Sequence, residues 1–306
     1  VVALVHNLVS RHHLYCAAAI TAHFYDRTSG RDLTPHHGTA FVFWAHMSGR
    51  YFVTNRHILD APPPATLDRI ELSGHRQPDD LNAETDAWTY THQQPEVFFH
   101  PDPDTDLALA RVPLPSATSD DPNLKQPERW SARGDWYPTF FDMDWLASDT
   151  ELRMLLPGDQ VFIAGYPGII ETGGGGRSPS RDERPIIVGG TVASDPRYPA
   201  TFGDARLNNA VLCHSFSWGG MSGAPVFAFS QSIGITKIIG INAGHIRGQG
   251  PAGGVISHFV RSSALVDLLV QLGETRPHPV TKVALAGQRG QTGMRGWYLE
   301  TPDEMG

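Results

Sequence analysis

A chain of 306 residues, 40% hydrophobic and 18% charged, has enough apolar material to bury a core and is not a disordered tail. Its net charge of −8 lacks the positive footprint of a phosphate binder, which argues against nucleic acid as the main partner. Every apolar run falls short of the ~20 residues that span a bilayer, so no membrane partner is expected. Gly 31 and Pro 24 exceed the roughly 12% that the two make up together in ordinary chains, which points to turns and strands. The length fits one large β unit or two of ordinary size.

In chain order, short β-branched or aromatic runs bounded by turn formers predict strands at 17–25, 39–44, 51–54, 96–100 and 107–112. The polar, proline-punctuated stretch 61–94 reads as long surface loops, and 113–136 reads as a connection between two units. A second set of strands is predicted at 160–164, 186–192, 210–214, 225–228, 238–242 and 255–256. From Ser257 to Leu272 the period changes: Phe259, Val260, Leu265, Leu268, Leu269 and Leu272 fall near helical spacing and predict one amphipathic closing helix. Beyond Gly273 the chain is rich in Gly and Arg until Trp297-Tyr298-Leu299, and reads as a partly ordered tail, a pairing strand or a partner contact. Two strand sets joined by a long connection argue for two barrels. The expected division is 1–140, 141–273 and a tail at 274–306.

Cys16 and Cys213 are too few for a disulfide framework and show no zinc-like spacing. So few cysteines fit a reducing compartment, which slightly favours the cytoplasm, or a bacterial secreted protein without staples. The chain opens Val1-Val2-Ala3 without a signal-peptide pattern. The histidine pairs His12-His13 and His36-His37 read as surface residues, not metal ligands. Gly173–Gly176 lacks the following Lys-Ser/Thr and helix of a phosphate loop and reads as a surface loop.

Three segments carry chemistry. In Gly219-Gly220-Met221-Ser222-Gly223-Ala224-Pro225 a serine sits among glycines ahead of a strand. Glycines let the backbone turn sharply and present N–H groups beside the hydroxyl, as acyl transfer requires; the same pattern also suits an ordinary Gly-Ser turn. A serine needs a base, and His57 follows the apolar run Tyr51–Thr54 directly. In His100-Pro101-Asp102-Pro103-Asp104-Thr105-Asp106-Leu107 three acids alternate. Asp102 and Asp104 fit a solvated turn. Asp106 abuts the apolar run, so it is the acid expected to be buried and to need a partner, for which an imidazole serves.

The order His57, Asp106, Ser222 resembles the chymotrypsin-like serine peptidases, through motifs similar to Thr-x-x-His, Asp-Leu-Ala-Leu and Gly-x-Ser-Gly-x-Pro. The match is nearer to the bacterial branch of glutamyl endopeptidases and HtrA-like proteases, and Gly158–Gly168 and Gly189-Gly190-Thr191-Val192 look like strands of that branch's second barrel. The resemblance covers about residues 17 to 272. It implies an all-β fold of two six-stranded antiparallel barrels with a C-terminal α-helix, and a serine endopeptidase acting on polypeptides without metal or cofactor. It implies His57 as general base and acid, Asp106 as its orienter and Ser222 as nucleophile, with the N–H groups of Gly220 and Ser222 as oxyanion hole.

Departures from the family stand beside this. Met221 occupies the place of the aspartate that captures a freed N-terminus in digestive enzymes, so the site is either preformed or ordered by another contact. Ala243 occupies the place of a serine bonded to the catalytic aspartate, so Asp106 needs another donor or water. The resemblance places the specificity pocket at Phe216 to Met221, Ile241 to His245 and about Gly253-Gly254. Phe216 stands where trypsin carries its acid, and Asn242 where glutamyl endopeptidases carry a histidine. Phe216, Ser217, Asn242, Ala243, Gly244 and His245 are therefore the expected substrate-binding residues, and a polar or acidic P1 residue the expected preference; a pocket filled by Phe216 would instead admit only small residues. Two other readings stand beside the enzyme: a catalytically silent binding module on the same fold, and the protease domain of a larger protein controlled by a regulatory partner or a fused domain.

Overall fold

The computed structural model describes residues 11–45, 49–75, 87–112, 140–168, 184–202, 205–215, 218–230, 235–247 and 255–274. A short helix α1 (Arg11–Tyr15) leads into β1 (Ala17–Asp26), β2 (Arg31–Asp32), β3 (His36–Trp44), β4 (Arg50–Thr54) and the one-turn helix α2 (Arg56–Leu59). The first unit continues with β5 (Ala65–His75), β6 (Ala87–Gln93), β7 (Val97–Phe99), β8 (Ala108–Arg111) and β9 (Phe140–Asp142). Helix α3 (Asp149–Arg153) precedes β10 (Gln160–Gly165), β11 (Ile186–Val192), β12 (Ala200–Phe202), β13 (Ala205–Leu207), β14 (Ala210–Ser215), β15 (Pro225–Ser230), β16 (Ile235–Arg247) and β17 (Val255–Arg261). Helix α4 (Ser262–Gln271) closes the fold.

The second unit is a closed six-stranded barrel in the order β10-β11-β14-β17-β16-β15, antiparallel throughout. The first is a curled nine-stranded sheet along β6-β5-β1-β3-β4-β8-β7, with β2 on β1 and β9 on β3. This is the trypsin-like double-barrel architecture. The first sheet departs from the expected six antiparallel strands because β9 adds to β3 in parallel.

Its strands read as continuous apolar runs because both faces are covered. On β1, Ala17 and Ala19 point into one cluster, while Ala18, Ile20, Ala22 and Phe24 point into another. The period of two continues on β3, where Phe41 and Phe43 join the first cluster and Ala40 and Val42 the second. The second cluster is the interior of the first unit. The first is shared: Phe41, Tyr51, Val53 and Leu109 meet Ala164, Tyr166, Phe227 and Ile241 from the barrel and Leu265 and Leu269 from α4. Barrel strands alternate likewise, Val161, Ile163 and Val226 facing the barrel interior and Phe227 the shared layer. The two units are thus held by one apolar layer, not by a linker.

Several expectations are corrected. Residues 65–75 and 87–93 are not surface loops but the paired strands β5 and β6; Ile70, Leu72 and Tyr90, at alternate positions, are buried between polar neighbours. The closing helix starts at Ser262, not Ser257, because Phe259 and Val260 pair with Val211 and Ala210 on β14. His13 is not a surface residue: it is buried, with its ring edge-on to Trp145 and Phe227. The connection at 113–136, Gly173–Gly176 and residues 275–306 lie outside the described residues. Cys16 and Cys213 are both buried free thiols, and burial raises both pKa values, Cys213 to about 11.

Glu274, placed at the start of the tail by the sequence, is 7% exposed. Its carboxylate accepts from the Tyr51 hydroxyl at 2.5 Å, from the Gly49 N–H at 3.1 Å and from Arg111 at 3.4 Å. Burial, then the Glu274 carboxylate, push the Tyr51 phenol well above its ordinary pKa. The end of α4 is thereby tied to β4 and β8 of the first unit. Glu274→Ala leaves buried donors unpaired, and urea unfolding should show a loss of about 2–4 kcal/mol; a change below about 0.5 kcal/mol would show that the tie carries no stability.

Candidate active site

β4 ends at Thr54, and the chain turns through buried Asn55 into α2, which sets His57 on the surface with its side chain 49% exposed. Asn55 donates from Nδ2 to the Asp106 carbonyl at 2.7 Å, which joins the end of β4 to the turn before β8. In that turn the Asp102 carboxylate accepts from Asp104 N–H and Thr105 Oγ1, so Asp102 builds the loop. Asp106 is half-buried, with 27% of its side chain exposed, and so is less enclosed than its sequence neighbours suggest. One carboxylate oxygen accepts from the His57 backbone N–H at 3.0 Å and the other lies 2.7 Å from His57 Nδ1. A carboxylate only accepts, so the proton of this pair sits on Nδ1 and the Nε2 lone pair is free to act as a base.

Ser222 belongs to the second unit, yet its loop is bound by the first. The Thr39 N–H donates to the Ser222 carbonyl at 2.7 Å. Thr39 Oγ1 donates to the Gly220 carbonyl at 2.8 Å and accepts from the Tyr166 N–H at 3.1 Å, while the Thr39 carbonyl accepts from Thr54 Oγ1 at 2.8 Å. Gly223, at φ +88°, is so close that an added Cβ would lie 2.1 Å from the Thr39 carbonyl oxygen and 2.3 Å from Thr54 Oγ1. The same crowding continues at Gly38, where an added Cβ would meet both Ile58 Cδ1 and the Ser222 carbonyl oxygen at 2.9 Å. From the barrel side, the Gly168 N–H donates to the Gly219 carbonyl at 2.6 Å and the Asn242 Nδ2 to the Met221 carbonyl at 2.8 Å. Gly220 turns at φ +91°, a conformation that disfavours any side chain.

The expected pocket residues divide. Gly244 lies beside the serine, its Cβ position 3.7 Å from Ser222 Oγ. Ala243 sits at a bulge between Asn242 and Gly244 and packs against the shared apolar layer. Asn242 is fully buried and its carboxamide Nδ2 donates to the Met221 carbonyl at 2.8 Å, as a polar side chain at that depth must find a partner. Phe216, Ser217, Gly253 and Gly254 lie outside the described residues. Met221 is buried in the barrel interior, so the place of the family's aspartate holds a core residue.

Beside Asp106, where Ala243 offers no hydroxyl, stands His258 of β17. Asp106 and His258 line one small pocket with Thr105 and Asn209, with room for about one water. His258 Nδ1 is buried with no hydrogen-bond partner among the described residues. Burial lowers the His258 pKa; Asp106 opposes this, and His245 and His57 add to it. Among the described residues, no group of three or more His, Cys, Asp or Glu is arranged to hold a metal. Sequence reading missed Thr39, Asn55 and His258. A buried polar residue inside an apolar run, as in Gly38-Thr39-Ala40-Phe41, is the signal that points to the first.

Thr39→Val keeps the volume and removes one hydroxyl, leaving the Gly220 carbonyl and Tyr166 N–H unpaired. Chemical denaturation should register a loss of about 2–4 kcal/mol, and Gly223→Ala a larger one; stability within about 0.5 kcal/mol of the parent in both would contradict the cross-unit contact.

The family model of the trypsin-like peptidase domain matches residues 38–235, a span from β3 to the start of β16 that takes in His57, Asp106 and Ser222. No curated protein matches the chain. With that span covering more than half of its length, the chain belongs to the trypsin-like peptidase domain family.

Proposed function

We propose that the chain is a serine endopeptidase in which Ser222 is the nucleophile, His57 the general base and acid, and Asp106 the group that orients His57. The observation that carries this reading is the double contact of Asp106 with His57, at 3.0 Å to the backbone N–H and 2.7 Å to Nδ1. It fixes the ring and its tautomer at once, which is the task of the acid in such a triad.

In the first half-reaction Ser222 Oγ bonds to the carbonyl carbon of the scissile peptide while His57 Nε2 takes the hydroxyl proton. The imidazolium so formed is stabilised by the Asp106 carboxylate. The tetrahedral oxyanion accepts hydrogen bonds from the Gly220 and Ser222 N–H groups, and the C–N bond breaks as His57 passes its proton to the departing amine. Water, losing a proton to His57 Nε2, then attacks the acyl carbon; the bond from that carbon to Ser222 Oγ breaks as His57 returns the proton to Oγ, releasing the acid product. The half-exposed His57 ring suits a group that must meet both substrate and water. On the specificity side, His245 is the titratable member of the proposed polar wall. A basic P1 side chain is disfavoured there, and a polar or acidic one remains the preferred substrate.

Cleavage of a proteome-derived peptide library by the parent chain beside Ser222→Ala and Asp106→Asn tests the reading. Turnover should fall by about 10⁴-fold or more in each variant with the fold intact. A parent chain that cleaves nothing and takes no fluorophosphonate label would favour a silent binding module, and unchanged turnover by Ser222→Ala would refute the nucleophile.

A further inference from the structure

Resting on that reading, we propose that Asn242 is a positioning residue that holds the Ser222 N–H in the orientation of an oxyanion donor, in place of a terminus-dependent salt bridge. Residue 242 brackets the nucleophile with three bonds: its carbonyl accepts from the Gly223 N–H, its N–H donates to the Ala224 carbonyl, and its Nδ2 donates to the Met221 carbonyl, each at 2.8 Å. The third is the informative one. In a planar trans peptide the carbonyl of one residue and the N–H of the next point to opposite sides. The Met221 carbonyl is held inward by the buried carboxamide together with the Ala224 N–H at 3.1 Å, and this turns the Ser222 N–H to the other side.

The neighbouring peptides obey the same logic. The Gly219 carbonyl is held by the Gly168 N–H at 2.6 Å, which turns the Gly220 N–H away from it. The Gly220 carbonyl is held by Thr39 Oγ1, and the Met221 N–H beyond it returns to the Trp218 carbonyl at 3.0 Å. From Gly220 to Ala224 the N–H groups of Met221, Gly223 and Ala224 are used inside the fold. Those of Gly220 and Ser222 meet no acceptor among the described residues. Two unpaired donors two residues apart are costly in a resting protein and are of use to an anion that forms beside both. The carboxamide at 242 is fully buried, so it serves the loop and not a ligand, and its bond to Met221 does not depend on any chain terminus.

The test uses the full chain, with rates expressed per site titrated by a fluorophosphonate. Asn242→Leu keeps the approximate volume and cannot donate; kcat per titrated site should fall about 10- to 100-fold with KM within about threefold, and affinity for a peptide aldehyde should fall in parallel. Asn242→Asp, whose buried carboxyl can carry a proton and donate from the same place, should recover activity relative to the parent as the pH is lowered. In the unmodified chain, a coupling across the hydrogen bond from ¹⁵N-labelled Asn242 carboxamide to the ¹³C-labelled Met221 carbonyl is expected, which tests the bond even if both variants fail to fold. A purely structural role would lower stability and the titrated fraction but leave kcat per site unchanged; that result, or the absence of the coupling, overturns the proposal. A parent chain without turnover or labelling would instead refute the endopeptidase reading on which it rests.

Discussion

The site depends on one buried side chain from the wrong unit. Thr39, on a strand of the first sheet, has no exposed surface, and each of its polar groups is bonded. Its N–H holds the Ser222 carbonyl, its hydroxyl bridges Gly220 and Tyr166, and its carbonyl takes the Thr54 hydroxyl. Thr54 in turn is three positions before His57 on the same strand-to-helix passage. The proposed base and nucleophile thus come from different units, and Thr39 bonds both to the Ser222 carbonyl and to Thr54 of the strand ahead of His57. In a buried setting such bonds are expensive to leave unmade, so the loop has little freedom to stand elsewhere.

That contact is possible only because the two units already face each other across a common apolar layer. The alternation of β1, β3 and β4 sends one set of side chains into the first unit and the other set outward, where Phe227, Ile241 and Leu265 complete the layer. Glu274 ties the far end of the closing helix back to Tyr51 on β4. The strand that leads to His57, β4, is therefore packed on both faces and clamped along its length. What remains exposed at its end is the imidazole.

Much of this was legible in the residues. The strand runs, the closing helix and the order of His57, Asp106 and Ser222 could be read directly, because apolar alternation and glycine clusters are local signals. Residues 65–75 and 87–93 read as loops because β5 and β6 carry many polar residues on their outer faces, and the pairing of β5 with β1 and of β6 with β5 is a long-range fact that no window of sequence contains. The start of the helix was misjudged for a related reason: Phe259 and Val260 suit either period, and cross-strand pairing with β14 decides. Asn242 was placed on the pocket wall because its position is a wall position in related enzymes. Its carboxamide donates to the Met221 carbonyl, a partnership across twenty-one positions that spacing does not reveal.

The proposed mechanism makes a single claim about charge: its oxyanion sits beside the Gly220 and Ser222 N–H groups, whose preceding carbonyls are held by bonds on the far side of their peptides. A crystal structure of the chain after reaction with a fluorophosphonate tests this most directly. The adduct should lie on Ser222 Oγ, with the phosphoryl oxygen about 2.7–3.1 Å from the N–H groups of Gly220 and Ser222 and the bonds of Thr39 and Asn242 to the loop intact. An adduct whose oxygen points to solvent, or a loop that leaves Thr39 to accommodate it, would contradict the account.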